Sequence, residues 1–102
     1  MTPEAKTKKA VCKILDRYGF WYFLPVSGGY GRSGIPDIIC CAHGTFLAIE
    51  CKAGNGKTTA LQDRELARIR AAGGFSAVIY DTEGDYEGLR LLLDTLKKKA
   101  PY

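Results

Sequence analysis

Three charged residues have types and a spacing that could carry out chemistry. Asp37 begins one apolar stretch, and Glu50 and Lys52 lie two residues apart at the end of the next. Side chains two residues apart on a strand leave the same face of a sheet, so Cys51 between them should point into the core. Two carboxylates and a backbone carbonyl are ligands that Mg²⁺ prefers, and a nearby ammonium can act on water and on a phosphate oxygen.

The same charged residues also have a simpler interpretation. Glu50 and Lys52 could form an ordinary ion pair at a strand end, which is a common and weak interaction. Asp37 at the start of an adjoining strand, after a glycine-rich loop, favours the metal site instead. Charged groups in an apolar strand are costly to bury without partners, so their presence needs an explanation.

Two glycine-containing segments resemble nucleotide-binding motifs but lack the required context. The G-x-G-x-x-G that ends at Gly34 is followed by Pro36 and a strand, where a dinucleotide-binding fold has a helix. The G-K-T at 56–58 resembles the end of a P-loop, but Cys51 stands where its first glycine is required. The sequence therefore predicts no nucleotide cofactor, although Lys57 in this loop could contact a nucleic-acid phosphate.

The elements that must position these residues follow from the hydrophobic periodicity and the helix caps. The predicted bounds are helix 3–18, strands 20–26, 37–42 and 46–52, helix 59–72, strand 75–80 and helix 83–99. Short connections allow the first three strands to pair antiparallel, and a helical crossover allows the fourth to lie parallel to its neighbour. The fold class is α/β, a mixed sheet flanked by helices in the order αβββαβα. The second and third strands should be central, because both faces are apolar.

Composition restricts the class of protein. The chain has 102 residues, 46% hydrophobic and 25% charged, which excludes disordered and collagen-like chains and predicts a single domain over 1–102. No apolar run reaches the roughly 20 residues of a membrane span. The net charge of +4 permits a nucleic-acid partner. Four cysteines without a C-x-x-C pair, and a single histidine, predict buried thiols in a reducing cytoplasm rather than a zinc site.

The charged residues resemble a known nuclease pattern. The P-D at 36–37 followed by E-x-K at 50–52 resembles the core of the PD-(D/E)xK nucleases. The longer pattern S-G-G-Y-G-R-S-G-I-P-D, I-E-C-K, G-K-T and Gln62, with Glu4 upstream, resembles the stand-alone viral form of the virus-type replication–repair nuclease (VRR-NUC) family. The resemblance covers about residues 4–80. The chain is also similar in size and motif to archaeal-type Holliday-junction resolvases.

This resemblance implies a restriction-endonuclease-like fold and hydrolysis of phosphodiester bonds with Mg²⁺ or Mn²⁺ as cofactor. It implies that Asp37 and Glu50 hold the metal, helped by the backbone carbonyl of Cys51. Lys52 would assist the attacking water.

The resemblance adds two further catalytic residues, each with an alternative. Gln62 would orient water or phosphate, but with Thr59 it also resembles a capping box, and both roles would require a different helix start. Glu4 would reach the metal through water, from the side of its helix that also carries Val11 and should face the core. Alternatively, Glu4 is an acid favoured by the helix dipole.

Three residues are candidates for nucleic-acid contacts. Ser27 and Arg32 flank the glycine-rich loop and could contact phosphates near the cut bond, or could be ordinary polar loop residues. Lys57 is the third candidate.

The expected function is a structure-selective DNA endonuclease acting on branched DNA, above all on four-way junctions. The alternatives are a flap or nicking endonuclease, and a non-catalytic nucleic-acid-binding module of the same fold. The aromatic strand and the leucine-rich last helix predict a homodimer, because their apolar residues exceed what one small sheet needs. The resemblance implies a viral or phage protein acting in the cytoplasm of its host, with no membrane partner.

Overall fold

The computed structural model describes residues 1–26 and 32–99. All seven predicted elements are present in the predicted order: α1 (Pro3–Tyr18), β1 (Trp21–Phe23), β2 (Ile38–Ala42), β3 (Thr45–Cys51), α2 (Ala60–Ala71), β4 (Phe75–Ile79) and α3 (Glu83–Lys98). The first strand is shorter than the predicted 20–26. Among the described residues, no helix combines the length and the apolar character needed to cross a membrane.

The four strands form one mixed sheet in the order β1-β2-β3-β4. β1 pairs antiparallel with β2, and β2 pairs antiparallel with β3, while β3 and β4 are parallel. The central position of β2 and β3 confirms the prediction, and β1 lies at one edge of the sheet. His43 and Gly44 join β2 to β3, and both have positive φ, at 54° and 87°. Such a left-handed turn matches the twist of the strands it joins and fixes their register.

Helices α1 and α3 cover one face of the sheet and enclose the hydrophobic core. The buried apolar side chains are Val11, Ile14, Leu15, Ile38, Cys40, Ala42, Leu47, Ile49, Cys51, Ile79, Leu89, Leu93 and Leu96. The leucine face of α3 therefore packs mainly within the chain, where the sequence suggested that part of it is available to a second copy. Helix α2 lies on the opposite face, next to Glu50.

The helix ends follow the sequence signals for capping. Thr2 and Thr82 accept hydrogen bonds from backbone N–H groups in the first turns of α1 and α3. Thr59 and Gln62 form a reciprocal capping box at the start of α2. Gly19 ends α1 in a left-handed conformation with φ 73°. These contacts satisfy backbone groups that have no partner within the helix.

The cysteines correct one prediction in part. All four thiols are free, and Cys40 and Cys51 are buried as expected, which raises the pKa of both to about 12. Cys12, however, is half-buried and Cys41 is exposed. Cys41 is exposed because alternate residues of a strand leave opposite faces, and neither α1 nor α3 covers its face.

The segment before β2 packs closely against the start of α2. Gly34 has φ 82°, and a Cβ atom on this residue would collide with the carbonyl group of Leu61. Only glycine tolerates both conditions, so this contact fixes the approach of Asp37 toward α2.

Gly34→Ala should therefore cost more stability than the same change at Gly19. Both positions have positive φ, which costs alanine about 1–2 kcal/mol. At Gly34 the collision with Leu61 should add about 1–3 kcal/mol, whereas a Cβ on Gly19 meets no atom within 4 Å. Urea unfolding of both variants measures the difference. Equal losses of stability would show that the close approach to α2 is not a constraint.

Candidate active site

Asp37 connects the start of β2 with the end of β3. Its Oδ2 accepts a hydrogen bond of 2.9 Å from the backbone N–H of Cys51, and its Oδ1 lies 3.7 Å from Nζ of Lys8. The side chain is partly exposed. The structure thus brings Asp37 to the strand end that carries Glu50, as predicted, through the amide group of Cys51.

Glu50 and Lys52 project from the same face of the sheet end and are both buried. Glu50 is 2% exposed and Lys52 is 6% exposed. Nζ of Lys52 lies 3.4 Å from Oε2 of Glu50. The interpretation as an ordinary surface ion pair is therefore wrong. Buried ion pairs are costly to form, so their neighbours must satisfy the remaining polar atoms.

The pKa of Glu50 is raised to about 7. Burial is the largest cause, the negative charge of Asp37 adds to it, and Lys52 opposes both. The two carboxylates therefore repel each other, and Lys52 only partly offsets this effect on the pKa of Glu50. Residues with such perturbed pKa values in a cleft are typical of functional sites.

Gln62 links α2 to this carboxylate. Its Oε1 accepts a 2.9 Å hydrogen bond from the N–H of Thr59, and its Nε2 donates a 3.0 Å hydrogen bond to Oε2 of Glu50. The capping contact and the contact with Glu50 coexist with a helix that begins at Ala60, because the two ends of one amide serve different partners. The role of Gln62 toward water or phosphate stays a prediction.

Glu4 lies near Lys52 but is not in the core. A Cβ atom on Gly56 would lie 3.4 Å from Oε2 of Glu4 and 4.0 Å from Cδ of Lys52. Glu4 itself is exposed, although Thr7 and Val11 on the same helical face are buried. The prediction that Glu4 faces the core is therefore corrected, since its turn is the first of α1 and lies beside the loop after β3.

Two residues of α1 contact the site and were missed by sequence reasoning. The fully buried hydroxyl of Thr7 lies 3.0 Å from the carbonyl oxygen of Lys52, to which it donates. Lys8 pairs with Asp37, as described above. A polar residue on the apolar face of a helix was a usable signal for Thr7. Lys8 gave none, because it stands among several lysines.

Two of the three predicted nucleic-acid contacts, Arg32 and Lys57, are among the described residues. Arg32 is exposed, with its Nε 2.9 Å from Oε1 of Glu65. Lys57 is exposed in the loop after β3, where the hydroxyl of Tyr80 donates a 2.7 Å hydrogen bond to the carbonyl of Gly56. Ser27 lies outside the described residues.

A cavity of about 380 Å³ opens beside Asp37. Its walls include Asp37 and Gln62 from the centre, and Lys8 and Arg32 from the surrounding elements. Two cations beside a carboxylate suit an anionic ligand held next to a metal ion.

The donor set fits Mg²⁺ or Mn²⁺ better than a metal that needs many protein ligands. Within 1–26 and 32–99, no group of three or more His, Cys, Asp or Glu side chains is arranged to hold an ion. Asp37 and Glu50 supply two carboxylates, and Mg²⁺ commonly binds through one or two carboxylates while it keeps several waters. A cation between these groups would also relieve the repulsion that raises the pKa of Glu50.

Comparison with known families agrees with this geometry. Residues 5–75 match the family described as archaeal Holliday junction resolvase (Hjc). The chain belongs to this family. The mixed sheet and its flanking helices therefore represent the restriction-endonuclease-like fold of Hjc nucleases, as predicted. The VRR-NUC subtype stays a prediction.

A phage protein is also similar. The chain is 37% identical over 54 residues to "Putative nuclease p44" of Acyrthosiphon pisum secondary endosymbiont phage 1, which covers 52% of this chain and 57% of that protein. The chain thus matches little more than half of this relative. No solved structure gives a significant match.

Glu50 should make the stability of the metal-free protein depend on pH. Its pKa rises from 4.5 to about 7 on folding, so folding takes up a proton between these values. As the pH falls from about 8 to about 5, the free energy of unfolding of the wild type should rise by up to about 3 kcal/mol relative to that of Glu50→Gln. Urea unfolding in EDTA at several pH values measures this difference.

Glu87→Gln is the matched control, because the Glu87 carboxylate is 60% exposed on α3. The wild type should gain little relative to this variant. Parallel pH profiles of the wild type and Glu50→Gln would contradict the raised pKa.

Proposed function

We propose that this protein is a metal-dependent DNA endonuclease that resolves four-way junctions. The observation that carries the proposal is the buried Glu50 carboxylate, bonded to Gln62 and paired with Lys52 beside Asp37, in a chain of the Hjc family. A carboxylate with a raised pKa, a second carboxylate and a lysine at one sheet end fit phosphodiester hydrolysis.

Each residue of the centre has a distinct role in this proposal. Asp37 and Glu50 hold Mg²⁺ or Mn²⁺ with the carbonyl of Cys51, and the ion supplies Lewis-acid activation of water and phosphate. Lys52 orients the attacking water and offsets the charge that develops on the phosphate. Gln62 keeps Glu50 in position through its 3.0 Å hydrogen bond.

The surrounding residues assist the centre. Glu4 acts through water from the first turn of α1. Ser27, Arg32 and Lys57 contact phosphates of branched DNA. Thr7 holds the backbone of Lys52 and thereby fixes where its ammonium lies, since the hydroxyl is fully buried against that carbonyl.

A homodimer is the second part of the proposal. Trp21 and Phe46 both lie opposite Cys41 in the sheet register, so these three residues share one face. Helix α2 packs on this face, but Trp21 is still 65% exposed and Phe46 47% exposed. A two-fold pairing through this face would cover exposed aromatic surface and would supply two active sites for the two opposed strands of a junction.

Asp37→Asn and Lys52→Ala should each abolish cleavage of a four-way junction in Mg²⁺. Lys52→Ala should still bind the junction, because the ammonium acts mainly on the charged transition state. Lys52→Arg should not restore activity, since a guanidinium is wider and keeps its proton. Gel analysis of end-labelled junctions measures cleavage, and gel mobility shift measures binding.

Glu87→Gln serves as the control for these variants and should cleave at the wild-type rate. Cleavage at that rate by Asp37→Asn would refute the metal role of Asp37. If Lys52→Arg keeps most of the activity, Lys52 only binds a phosphate and does not act on the attacking water.

Trp21→Glu should convert a dimer that makes paired cuts into a monomer that only nicks. A charge in the exposed aromatic face should oppose association without disturbing the core, because Trp21 is 65% exposed in the single chain. Analytical ultracentrifugation measures the assembly, and linear product from a cruciform plasmid measures paired cutting.

Leu91→Glu is the matched control, since Leu91 is 59% exposed on α3, which packs on the other side of the sheet. This variant should remain dimeric. A monomeric wild type that yields only nicked plasmid would favour a flap or nicking endonuclease over a junction resolvase.

A further inference from the structure

A buried carboxylate outside the active centre gathers three arginines. The Glu65 side chain is 4% exposed, and its Oε1 lies 2.9 Å from Nε of Arg32. Its Oε2 lies 3.5 Å from Nε of Arg64 and 3.4 Å from a terminal nitrogen of Arg68. These four residues are called the Glu65 cluster below. They join the segment before β2 to the outer surface of α2.

The Glu65 cluster carries more positive than negative charge. Three guanidinium groups share one carboxylate, which leaves a formal excess of two positive charges. Arg90 on α3 shows the opposite balance, because Glu83 at 2.7 Å and Glu87 at 3.2 Å both pair with it. The two sites therefore differ in what they can still bind, although both are arginine–carboxylate clusters.

The arginines of the cluster can still bind a ligand. Their side chains are 51–60% exposed, whereas the carboxylate that holds them is buried. A guanidinium has five N–H donors in a fixed fork that matches phosphate oxygens, and the contacts to Glu65 use only part of them. A carboxylate that holds flexible arginines in place also reduces the entropy that they lose when they bind.

The position of the cluster relative to the active centre identifies the ligand. Glu65 follows Gln62 by one turn of α2, and Arg68 follows by two turns, which correspond to about 4.5 Å and 9 Å along the helix axis. Arg32 also lines the cavity beside Asp37, so the cluster borders the candidate site. The phosphates of one DNA strand succeed each other every 3.4 Å or so along the duplex axis.

We propose that Arg32, Arg64 and Arg68 form a second phosphate-binding site, which holds the DNA strand to one side of the cut bond. Glu65 is the positioning residue of this site. The proposal rests on the proposed nuclease function and deepens it, since it assigns two α2 arginines and their carboxylate to the substrate. The close contact of Gly34 with α2 keeps Arg32 beside the other two.

Salt dependence of DNA affinity tests the site without cleavage. The affinity for a four-way junction is measured by fluorescence anisotropy in EDTA between about 50 and 200 mM salt. Arg64→Gln and Arg68→Gln should each lower the slope of log affinity against log salt by about 0.9. Each should also weaken binding on the order of fivefold, to every DNA sequence alike.

Two variants separate phosphate contact from other effects. Arg68→Lys should keep the salt slope, because the charge remains, but should lose part of the affinity, because an ammonium lacks the fork. Arg90→Gln removes an arginine that two carboxylates already neutralise, so it should leave both slope and affinity unchanged.

One outcome overturns the site. If the double variant Arg64→Gln/Arg68→Gln unfolds at lower temperature yet binds with the wild-type slope and affinity, the cluster only fastens the chain to α2. Failure of the nuclease proposal is distinguishable from this result. If the arginine variants show the expected changes of the salt slope but the wild type never cuts the junction in Mg²⁺, the nuclease proposal is refuted. The phosphate site is then still supported.

Discussion

Burial of the Glu50 carboxylate costs free energy that its neighbours must offset, and much of the structure around β3 follows from this requirement. Lys52 supplies charge, and Gln62 supplies a hydrogen bond from α2. Because the other end of the Gln62 amide caps its own helix, the start of α2 and the position of the carboxylate are fixed together. The same helix also carries Arg64, Glu65 and Arg68 at a defined distance from the centre.

The repulsion between Asp37 and Glu50 limits how well the neighbouring residues can stabilise the buried Glu50 carboxylate. Asp37 is held by the amide of Cys51 and lies near Lys8, but its charge still raises the pKa of Glu50. A site built from hydrogen bonds alone could have replaced one carboxylate by an amide. The repulsion that remains beside Lys8 and Lys52 is what a divalent cation between the two carboxylates would relieve.

Local sequence signals predicted the fold well because each element carries its own signal. Thr2, Thr59 and Thr82 mark the helix starts, and the apolar runs of β2 and β3 indicate their central positions. The candidate site residues Asp37, Glu50 and Lys52 could be picked out because charge in an apolar strand is unusual. The length of the first strand was overestimated, since aromatic residues favour strands whether or not a partner strand extends beside them.

The remaining features depend on distances that no local pattern contains. Glu65 has the appearance of an ordinary helical acid in sequence, and only the packing of the segment before β2 against α2 brings Arg32 to it. Glu4 lies on the apolar face of α1 by its spacing, yet the core does not extend to its turn. The two contacts of Gln62 could not both be predicted from the sequence. The spacing of Thr59 and Gln62 indicates the capping box, but it does not show that the end of β3 faces this helix.

Calorimetric titration of Mn²⁺ in buffers of different ionisation enthalpy tests the central claim, which is that Asp37 and Glu50 form one metal site. Near pH 7 the Glu50 carboxyl is partly protonated, because its pKa is about 7, so binding must displace protons. We expect saturable binding with proton release that diminishes by pH 8.5, and loss of both in Glu50→Gln. Binding of equal affinity in the wild type, Asp37→Asn and Glu50→Gln, without proton release, would contradict the account.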